Sequence, residues 1–359
     1  MIDRVYLAEK NLWIHLKETK LPIVIYGMGN GADKILAVCD RFGIEVQDFF
    51  ASDGFVRGHS FHGKQVMQYA DMVEKYGAGQ FIVLLSFASS LPDVMANFYR
   101  IAEETELYAP DVPVCGENLF DLNFYRAHLP ELEQVEALLA DEESRDIFRN
   151  VISYKITGDI RYLRAAESDP DLVREQLLQT SAYQTYADLG AYNGDTIRAL
   201  LPHAPQLTNV YAMEPDRRNF RKLEAYAQGE TRCKIHCHAA GAWSHHDILP
   251  FDASGNRNAG LHGKAAKTVD TEVDALDSIL QGAPVDYVKY DVEGAEREAL
   301  IGSAQTIQAH RPHLLVSVYH RSEDLFALPL QVHQMRSDYR LYLRRFPYVP
   351  AWDLNLYAI

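Results

Sequence analysis

The sequence lacks the features that mark secreted or membrane-spanning proteins. Only four cysteines occur in 359 residues, and their spacing forms no disulfide scaffold. The longest apolar run, around residues 81–85, is far too short to cross a bilayer. Charged residues stand too early in the chain for a secretion signal. We therefore expect a soluble, cytoplasmic protein in a reducing compartment, with no membrane span.

Basic residues are also scarce. Lysine and arginine total 35 against 50 aspartates and glutamates, which gives a formal net charge of -15. A broad electrostatic grip on nucleic acid is therefore not expected. The hydrophobic fraction of 47% supports packed cores, and the length is enough for two domains of ordinary size.

The first part of the chain, residues 1–130, has the pattern of a parallel α/β domain. Strand-like and helical segments alternate there in the order β-α-β. A glycine-rich turn, Gly27-Met-Gly-Asn-Gly-Ala32, follows the first strand, and Asp53 ends the second. This pattern predicts a nucleotide or nucleotide-sugar site that uses Gly27, Gly29 and Asp53. The alternative is a supporting domain without a ligand, because glycines at a strand–helix turn also serve packing.

A helical connector is predicted over residues 131–180. Residues 110–130 are rich in turn formers and mark the end of the first domain. A charged amphipathic pattern then predicts one helix from Glu131 to Val151, whose charged residues form a solvated face.

The second domain, residues 181–359, is organised around the stretch Asp188-Leu-Gly-Ala-Tyr-Asn-Gly-Asp195. A strand-like run from Tyr183 precedes this stretch and a helical segment follows it, so the order is strand, glycine-rich turn, helix. Gly190 and Gly194 let the backbone turn tightly and approach a ligand. Acids at both ends of the turn suit a ligand with cationic and hydroxyl groups better than a phosphate.

This stretch resembles the first motif of Rossmann-like methyltransferases that use S-adenosylmethionine (SAM). Val210–Asp216 is similar to the second strand of that fold, with Glu214 in the place of the acid that holds the ribose hydroxyls. Val288–Glu296, the string Val-Lys-Tyr-Asp-Val-Glu-Gly-Ala-Glu, resembles the signature of FkbM-type methyltransferases.

The resemblance implies a fold, a cofactor and a set of contacts. The fold class is α/β: a C-terminal Rossmann-like methyltransferase sheet whose final strand is antiparallel, plus a smaller N-terminal parallel α/β Rossmann-like domain. The cofactor is SAM, and small residues after the third strand are similar to the family's adenine-side loop. The implied SAM-binding residues are Asp188, Gly190, Tyr192, Asn193, Gly194, Asp195, Thr196, Glu214, Pro215, Asp216, Ala239, Ala240, Asp291 and Glu293.

Chemistry is expected beyond the carboxyl ends of the strands, where open α/β sheets bind ligands. Asp188, Glu214, Asp291 and His320 all fall at such ends. A hydroxyl nucleophile benefits from a base, and the ordinary pKa of histidine lies near neutrality. His320 is therefore the predicted base, with Asp291 close by to orient the acceptor or the imidazole. A hydrogen-bonding or structural role is the alternative for His320.

No metal site is predicted. Cys233, His236, Cys237 and His238 are close in the sequence, but side chains alternate along a strand. The cysteines therefore share one face and the histidines the other, so the four cannot converge on one ion.

The sequence thus predicts a SAM-dependent O-methyltransferase that acts on a hydroxyl of a saccharide, glycoconjugate or polyketide-like acceptor. The first domain favours a saccharide, because it resembles the nucleotide-sugar-binding domains that accompany sugar-modifying enzymes. The alternatives are an N-methyltransferase of a small metabolite and a non-catalytic scaffold of a carbohydrate-assembly pathway. A homo-oligomer is among the expected assemblies.

Overall fold

The structure is a computed structural model that describes residues 11–56, 58–252 and 268–359. Two parallel-dominated sheets lie in the ranges predicted for the two domains, and helices connect them. The predicted α/β fold class is confirmed. Within the described ranges no helix combines the length and apolarity that crossing a bilayer requires.

The first sheet has six strands. Its elements, with the helix that precedes them, are α1 (Leu12–Glu18), β1 (Ile23–Tyr26), α2 (Asn30–Phe42), β2 (Asp48–Phe50), α3 (Asp53–Val56), β3 (Ser60–Phe61), β4 (Lys64–Met67), α4 (Tyr69–Tyr76), β5 (Ile82–Leu85), α5 (Pro92–Glu104) and β6 (Glu106–Tyr108). The order is β3-β4-β2-β1-β5-β6, and only β3 with β4 is antiparallel. Alternate residues of β1 enter two separate cores, Val24 and Tyr26 on one face and Ile23 and Ile25 on the other.

Packing explains two glycines of the first turn. A Cβ on Gly27 would lie 2.5 Å from Oγ of Ser86, and a Cβ on Gly31 would lie 1.9 Å from the Ser86 carbonyl oxygen. Gly29 has a left-handed φ of 93°, and its Cβ would meet open space. The side chain of Asp53 lies outside the described part of the chain. The nucleotide site therefore stays a prediction.

The connector contains two helices where the sequence predicts one from 131 to 151, so that prediction is wrong. The helices between the sheets are α6 (Leu122–Ala127), α7 (Leu129–Leu138), α8 (Glu142–Thr157), α9 (Ile160–Ala165) and α10 (Pro170–Leu172). Asp141 breaks the helix because its carboxylate accepts the backbone N–H of Ser144 at 2.8 Å and caps α8. The same carboxylate accepts a hydrogen bond from Nη2 of Arg344 at 2.6 Å, which ties the cap to the second sheet.

The second part of the chain contains a sheet of seven strands and a separate small sheet of three strands. A π-helical turn (Val173–Leu178) and a short 3-10 turn (Thr180–Ala182) lead into it. Its elements are β7 (Thr185–Leu189), α11 (Asp195–Leu200), β8 (Asn209–Met213), α12 (Arg217–Gly229), β9 (Lys234–His238), β10 (Gly241–Ala242), β11 (Asp247–Asp252), β12 (Thr268–Asp274), α13 (Leu276–Leu280), β13 (Tyr287–Tyr290), α14 (Glu296–Ile301), α15 (Ala304–His310), β14 (His313–Ser317), α16 (Asp324–Met335), β15 (Leu341–Arg345) and β16 (Leu354–Ala358).

The strand order is β15-β16-β14-β13-β7-β8-β9. The final strand, β16, lies antiparallel between β14 and β15, which confirms the prediction for the last strand. A separate small sheet contains β10, β12 and β11. Because β7, β8, β13 and β14 are parallel neighbours, their carboxyl ends meet at one edge of the sheet.

The segment between the two sheets is fixed to both. Nζ of Lys34 donates to the carbonyl oxygens of Pro113 at 3.2 Å and Val114 at 2.9 Å. Beyond them, the backbone N–H of Cys115 donates to the His320 carbonyl oxygen at 2.9 Å. The first domain is thereby linked to the carboxyl edge of the second sheet through a few residues.

A buried ion pair also holds this segment against the connector, and removing one partner should destabilise the protein. Nζ of Lys155 lies 2.9 Å from Oδ2 of Asp111, and the two side chains are 3% and 11% exposed. Asp111→Ala leaves a buried charge without a partner, which costs about 3–5 kcal/mol. Urea unfolding should show a loss near the lower end of that range. The double variant Asp111→Ala/Lys155→Met should recover most of it; a single variant as stable as the wild type would contradict this account.

Candidate active site

The loop after β7 brings the backbone to the edge of the sheet, and only glycine fits at its two key positions. Gly190 has a φ of 86°, and a Cβ there would lie 1.9 Å from the Asp291 carbonyl oxygen. Gly194 has a φ of 81°, and a Cβ there would lie 2.6 Å from the ring of Tyr226. Both positions combine a left-handed backbone with a close approach, which explains the predicted glycine spacing.

A buried ion pair joins the two central strands below this loop. Lys289 lies opposite Asp188 in the register of β13 with β7, and its Nζ lies 3.2 Å from Oδ1 of Asp188. The same Nζ donates to the Gly190 carbonyl oxygen at 3.2 Å and lies 3.6 Å from Oδ2 of Asp291. Burial opposes the charge of Lys289, but Asp188 and Asp291 outweigh it and raise the pKa of this lysine above its usual range. The amine therefore stays charged.

Asp188 serves the framework rather than the surface of the site. Its side chain is completely buried and does not line the neighbouring cavity. Besides Lys289, its carboxylate accepts a hydrogen bond from the hydroxyl of Thr196 at the start of α11. The sequence predicts that Asp188 contacts the ligand directly, but the structure places its side chain beneath the residues that line the cavity.

Glu214 follows β8 and holds the neighbouring loop. Its Oε2 accepts the backbone N–H of Tyr192, and its Oε1 accepts that of Asp216, each at 2.8 Å. The side chain is buried but lines the cavity. Burial raises the pKa of Glu214 to about 7, although these two N–H groups favour the ionised form. Tyr192 has a left-handed φ of 48°, which marks the loop as constrained.

A cavity of about 470 Å³ opens at this edge of the sheet. That volume lies within the ordinary range for small-molecule sites. Most of the predicted cofactor contacts line it, namely Gly190, Tyr192, Asp195, Thr196, Glu214, Pro215, Asp216, Asp291 and Glu293.

Four further predicted contacts do not line the cavity, and each has a local reason. Oδ1 of Asn193 accepts a hydrogen bond from Nη2 of Arg198 at 2.7 Å, while Gly194 packs against Tyr226. Ala239 and Ala240 stop short of the cavity, which Gly241 and Ala242 line instead. The loop predicted for the adenine side, residues 239–243, thus reaches the cavity through Gly241 and Ala242 rather than through the two alanines named as contacts. The four residues are Asn193, Gly194, Ala239 and Ala240.

His320 lies at the other end of the cavity among three carboxylates. Its Nδ1 is 2.9 Å from Oε1 of Glu296, and both side chains are 1% exposed. Its Nε2 is 3.5 Å from Oε2 of Glu293 and 3.6 Å from Oδ1 of Asp291. Burial opposes the charge on the imidazole, but the carboxylates of Glu296, Glu293 and Asp291 outweigh it and raise the pKa of His320 to about 10.

This arrangement bears on the predicted base. A histidine with so high a pKa is protonated at neutral pH, so it donates hydrogen bonds and cannot take a proton. Asp291 behaves differently: burial opposes its charge, but Lys289 and His320 outweigh burial and lower its pKa. Ser317 Oγ and Tyr319 OH donate to its Oδ1 at 3.1 and 3.2 Å. The geometry therefore favours Asp291 over His320 as the acceptor of a hydrogen bond from a substrate.

Sequence reasoning missed Lys289 and the aromatic wall of the cavity. Lys289 stands two residues before Asp291, so strand alternation places both side chains on one face, and that signal was available. The aromatic wall comprises Tyr319, Tyr348 and Trp352, with ring centroids 6.5 Å apart for Tyr319 and Trp352 and 5.9 Å for Tyr348 and Trp352. Two of these residues follow β15, far from any motif.

Gly190→Ala should strongly destabilise the protein. The new Cβ would overlap the Asp291 carbonyl oxygen, and the left-handed φ adds strain. Overpacking of this kind costs about 1–3 kcal/mol and the backbone conformation about 1–2 kcal/mol. The matched control is Gly229→Ala at the end of α12, where the added Cβ meets open space. Thermal unfolding should separate the two variants; equal stability would disprove the close approach.

Comparisons with known proteins agree with this geometry. Residues 188–349 match the family model described as "Methyltransferase FkbM domain". The crystal structure of methyltransferase FkbM from Methylobacillus flagellatus KT aligns with 99% of this chain and 92% of that chain, at 21% identity and a TM-score of 0.73. This likeness shows the same fold over both domains.

Other solved structures match less of the chain. Fibrillarin from Aeropyrum pernix, in complex with natively bound S-adenosyl-L-methionine, aligns with 52% of this chain and 72% of that chain, at 12% identity and a TM-score of 0.33. A putative caffeoyl-CoA O-methyltransferase from Staphylococcus aureus aligns with 53% of this chain and 81% of that chain, at 11% identity and a TM-score of 0.31. These scores are too low to carry an argument, and no curated protein matches the sequence.

The family match confirms the resemblance that the motifs predict. It covers the glycine-rich loop, Glu214 and the string Val288–Glu296. The chain is therefore a methyltransferase that carries an FkbM domain at residues 188–349.

Proposed function

We propose that the protein transfers a methyl group from SAM to a hydroxyl of a saccharide, glycoconjugate or polyketide-like acceptor. One observation carries the proposal. A single cavity extends from Glu214, which suits a ribose, to Asp291, which suits a hydroxyl nucleophile, at the carboxyl edge of the FkbM domain. Ligand binding at that edge is the rule in open α/β sheets.

The residues at the Glu214 end fit SAM. A buried carboxylate with free acceptor capacity suits the two ribose hydroxyls, and the missing Cβ of Gly190 leaves the loop backbone close to the ligand. Gly241 and Ala242 offer backbone and small side chains on the adenine side. Bound SAM supplies a methyl group on a sulfonium centre. The acids Asp195, Asp291 and Glu293 suit its cationic groups.

The other end of the cavity fits a hydroxylated acceptor. Asp291 accepts the hydrogen bond from the acceptor hydroxyl and orients its oxygen, since Lys289 and His320 keep this carboxylate ionised. His320, charged and buried beside it, offers its Nε2–H to acceptor oxygens. Tyr348 and Trp352 present ring faces that suit the apolar face of a sugar ring. These rings favour a saccharide within the proposed acceptors.

The alternatives are weaker on specific grounds. Gly190 and Glu214, the residues proposed to hold SAM, both line the cavity. An intact set of cofactor contacts argues against a non-catalytic scaffold. An N-methyltransferase is favoured less by the rings of Tyr348 and Trp352, which suit the apolar face of a sugar ring. A nucleotide or nucleotide-sugar at Gly27, Gly29 and Asp53 remains a separate prediction, since packing already explains Gly27 and Gly31.

SAM affinity should depend on pH through Glu214. With a pKa of about 7, this carboxylate is mostly protonated at pH 6 and ionised at pH 8, and ribose hydroxyls donate better to the ionised form. SAM binding is therefore coupled to proton release, so affinity should fall roughly tenfold per pH unit below the pKa. Calorimetric titration of the wild type from pH 5.5 to 8.5 measures this.

Glu214→Gln provides the test of the assignment. The amide keeps the shape but loses the charged acceptor. At pH 8 the binding free energy of SAM should therefore weaken by about 1.5–3 kcal/mol, which raises Kd roughly ten- to hundredfold. The pH dependence should disappear in the variant. The matched control is Glu103→Gln on the exposed surface of the first domain, which should behave as wild type. A folded Glu214→Gln variant with unchanged affinity would remove Glu214 from the ribose role.

The acceptor class is tested by product chemistry. Incubation with methyl-labelled SAM and a panel of saccharides, glycoconjugates and polyketide-like alcohols should give methyl ethers, identified by mass spectrometry and by the carbon chemical shift of the methyl group. Asp291→Asn should lower turnover by about 10²–10⁴-fold through loss of the orienting acceptor. Labelled N-methyl products from a parallel amine panel, with no ethers, would favour the small-metabolite alternative.

A further inference from the structure

His320 has a buried nitrogen that no hydrogen bond in the described residues satisfies. The imidazole is 1% exposed, lines the cavity, and its Nε2 makes no hydrogen bond there. The nearest acceptors, on Glu293 and Asp291, lie 3.5 and 3.6 Å away, beyond the usual length of an N–H···O bond. A buried polar atom of this kind calls for a partner.

The distances fit two ligands of one metal ion better than a donor and its acceptor. Nitrogen and oxygen ligands bind ions such as Zn²⁺ or Mg²⁺ at about 2.1 Å, which separates two ligand atoms by roughly 3.0 Å at a right angle and roughly 3.4 Å at a tetrahedral angle. The distances from Nε2 of His320 to Glu293 and Asp291 are only slightly longer.

Glu296, on the Nδ1 side of the His320 ring, is positioned to orient the imidazole. Glu296 lies 2.9 Å from Nδ1, and its own Oε1 accepts the backbone N–H of Val292 at 2.9 Å. Metal-bound histidines commonly present their second nitrogen to a carboxylate, which fixes the ring and the tautomer. Ligand atoms of Asp291, Glu296 and His320 lie within 4.8 Å of one another, a group that places Glu296 beside the candidate site and does not include Glu293.

The local charge also suits a cation. Asp188 and Asp291 share the charge of Lys289, whose Nζ lies 3.2 Å from the first carboxylate and 3.6 Å from the second. Three carboxylates, those of Asp291, Glu293 and Glu296, then surround one imidazole, and a protonated ring supplies a single positive charge. A divalent cation bound at Nε2 displaces the ring proton and replaces its single positive charge with two. Glu293 has a left-handed φ of 53°, which is uncommon for a residue other than glycine.

We propose that Nε2 of His320 binds a divalent cation together with the carboxylates of Asp291 and Glu293, and that Glu296 orients the imidazole. One nitrogen and two carboxylate ligands suit Mn²⁺ or Zn²⁺ best, because imidazole favours the transition metals and carboxylates the harder ions. The open side of the cavity leaves further positions for water or an acceptor oxygen. The sequence prediction of no metal site rested on Cys233–His238 and did not consider this cluster.

The proposal rests on the proposed function for its chemical role. An acceptor hydroxyl that binds the ion becomes more acidic and releases its proton to solvent water. Its oxygen then forms the new C–O bond as the S–C bond of the sulfonium breaks, and the sulfur keeps the electron pair. This role removes the need for His320 to act as a base.

The test is Mn²⁺ binding to the full chain after dialysis against a chelator, without SAM. Electron paramagnetic resonance and calorimetry should show one Mn²⁺ per chain. Asp291→Asn and Glu293→Gln should each weaken binding by at least about tenfold. Both side chains are partly exposed, so these variants are expected to fold, whereas His320→Ala would remove a fully buried side chain. The matched control is His15→Gln, which removes an exposed histidine beside a carboxylate, Glu106, and should leave binding unchanged.

The outcomes separate this proposal from the proposed function. One outcome would overturn the metal site and leave the methyl-transfer proposal intact. In that outcome the wild type binds SAM, but it binds Mn²⁺, Zn²⁺ and Mg²⁺ no more tightly than the Asp291→Asn variant does. If the chain binds Mn²⁺ through Asp291 and Glu293 but does not bind SAM, the metal site is supported and the proposed function is contradicted. Binding that is equal in the wild type and both variants would also overturn the metal site.

Discussion

The ion pair between Asp188 and Lys289 is the constraint on which the rest of the active site depends. It joins two neighbouring parallel strands at the edge where their ends meet, and both side chains are almost completely buried. A buried charge without its partner costs several kcal/mol, so neither residue can be lost alone. Lys289 also donates to the Gly190 carbonyl oxygen and approaches Asp291, so one amine fixes both the loop after β7 and the Asp291 end of the cavity.

The first domain contacts this site through the segment at residues 113–115, not through its own glycine-rich turn. Lys34 at the start of that domain holds Val114, and the next residue, Cys115, donates to the His320 backbone. A Cβ on Gly294 would lie 3.1 Å from Cys115, so the linker packs directly against the FkbM signature. A supporting role for the first domain follows from these contacts, whether or not it also binds a nucleotide.

Much of this arrangement could be predicted because it depends on local patterns. Glu214 and Asp291 directly follow strands, and the left-handed turn needs Gly190 and Gly194, so strand ends and glycine spacing locate the cavity. The antiparallel final strand came from the resemblance to known methyltransferases. These features depend on contacts near in sequence or on a fold shared by many chains.

The rest depends on partners distant in sequence. Asp141 ends a helix because it caps α8 and binds Arg344, some 200 residues later. The charge state of His320 follows from Glu296 at the start of α14, which lies beside the ring only in the folded chain. Gly241 rather than Ala240 reaches the cavity, which the run of small residues alone does not reveal. No periodicity in a single sequence reports such long-range contacts.

The most direct test of the account is a crystal structure of the protein with S-adenosylhomocysteine, the demethylated product of SAM. The account predicts density in the cavity beside Gly190, with both ribose hydroxyls on the carboxylate of Glu214 and the sulfur directed towards Asp291. A saturated crystal in which that cavity stays empty, or in which the nucleoside binds the glycine turn at Gly27 and Gly29 instead, would contradict it.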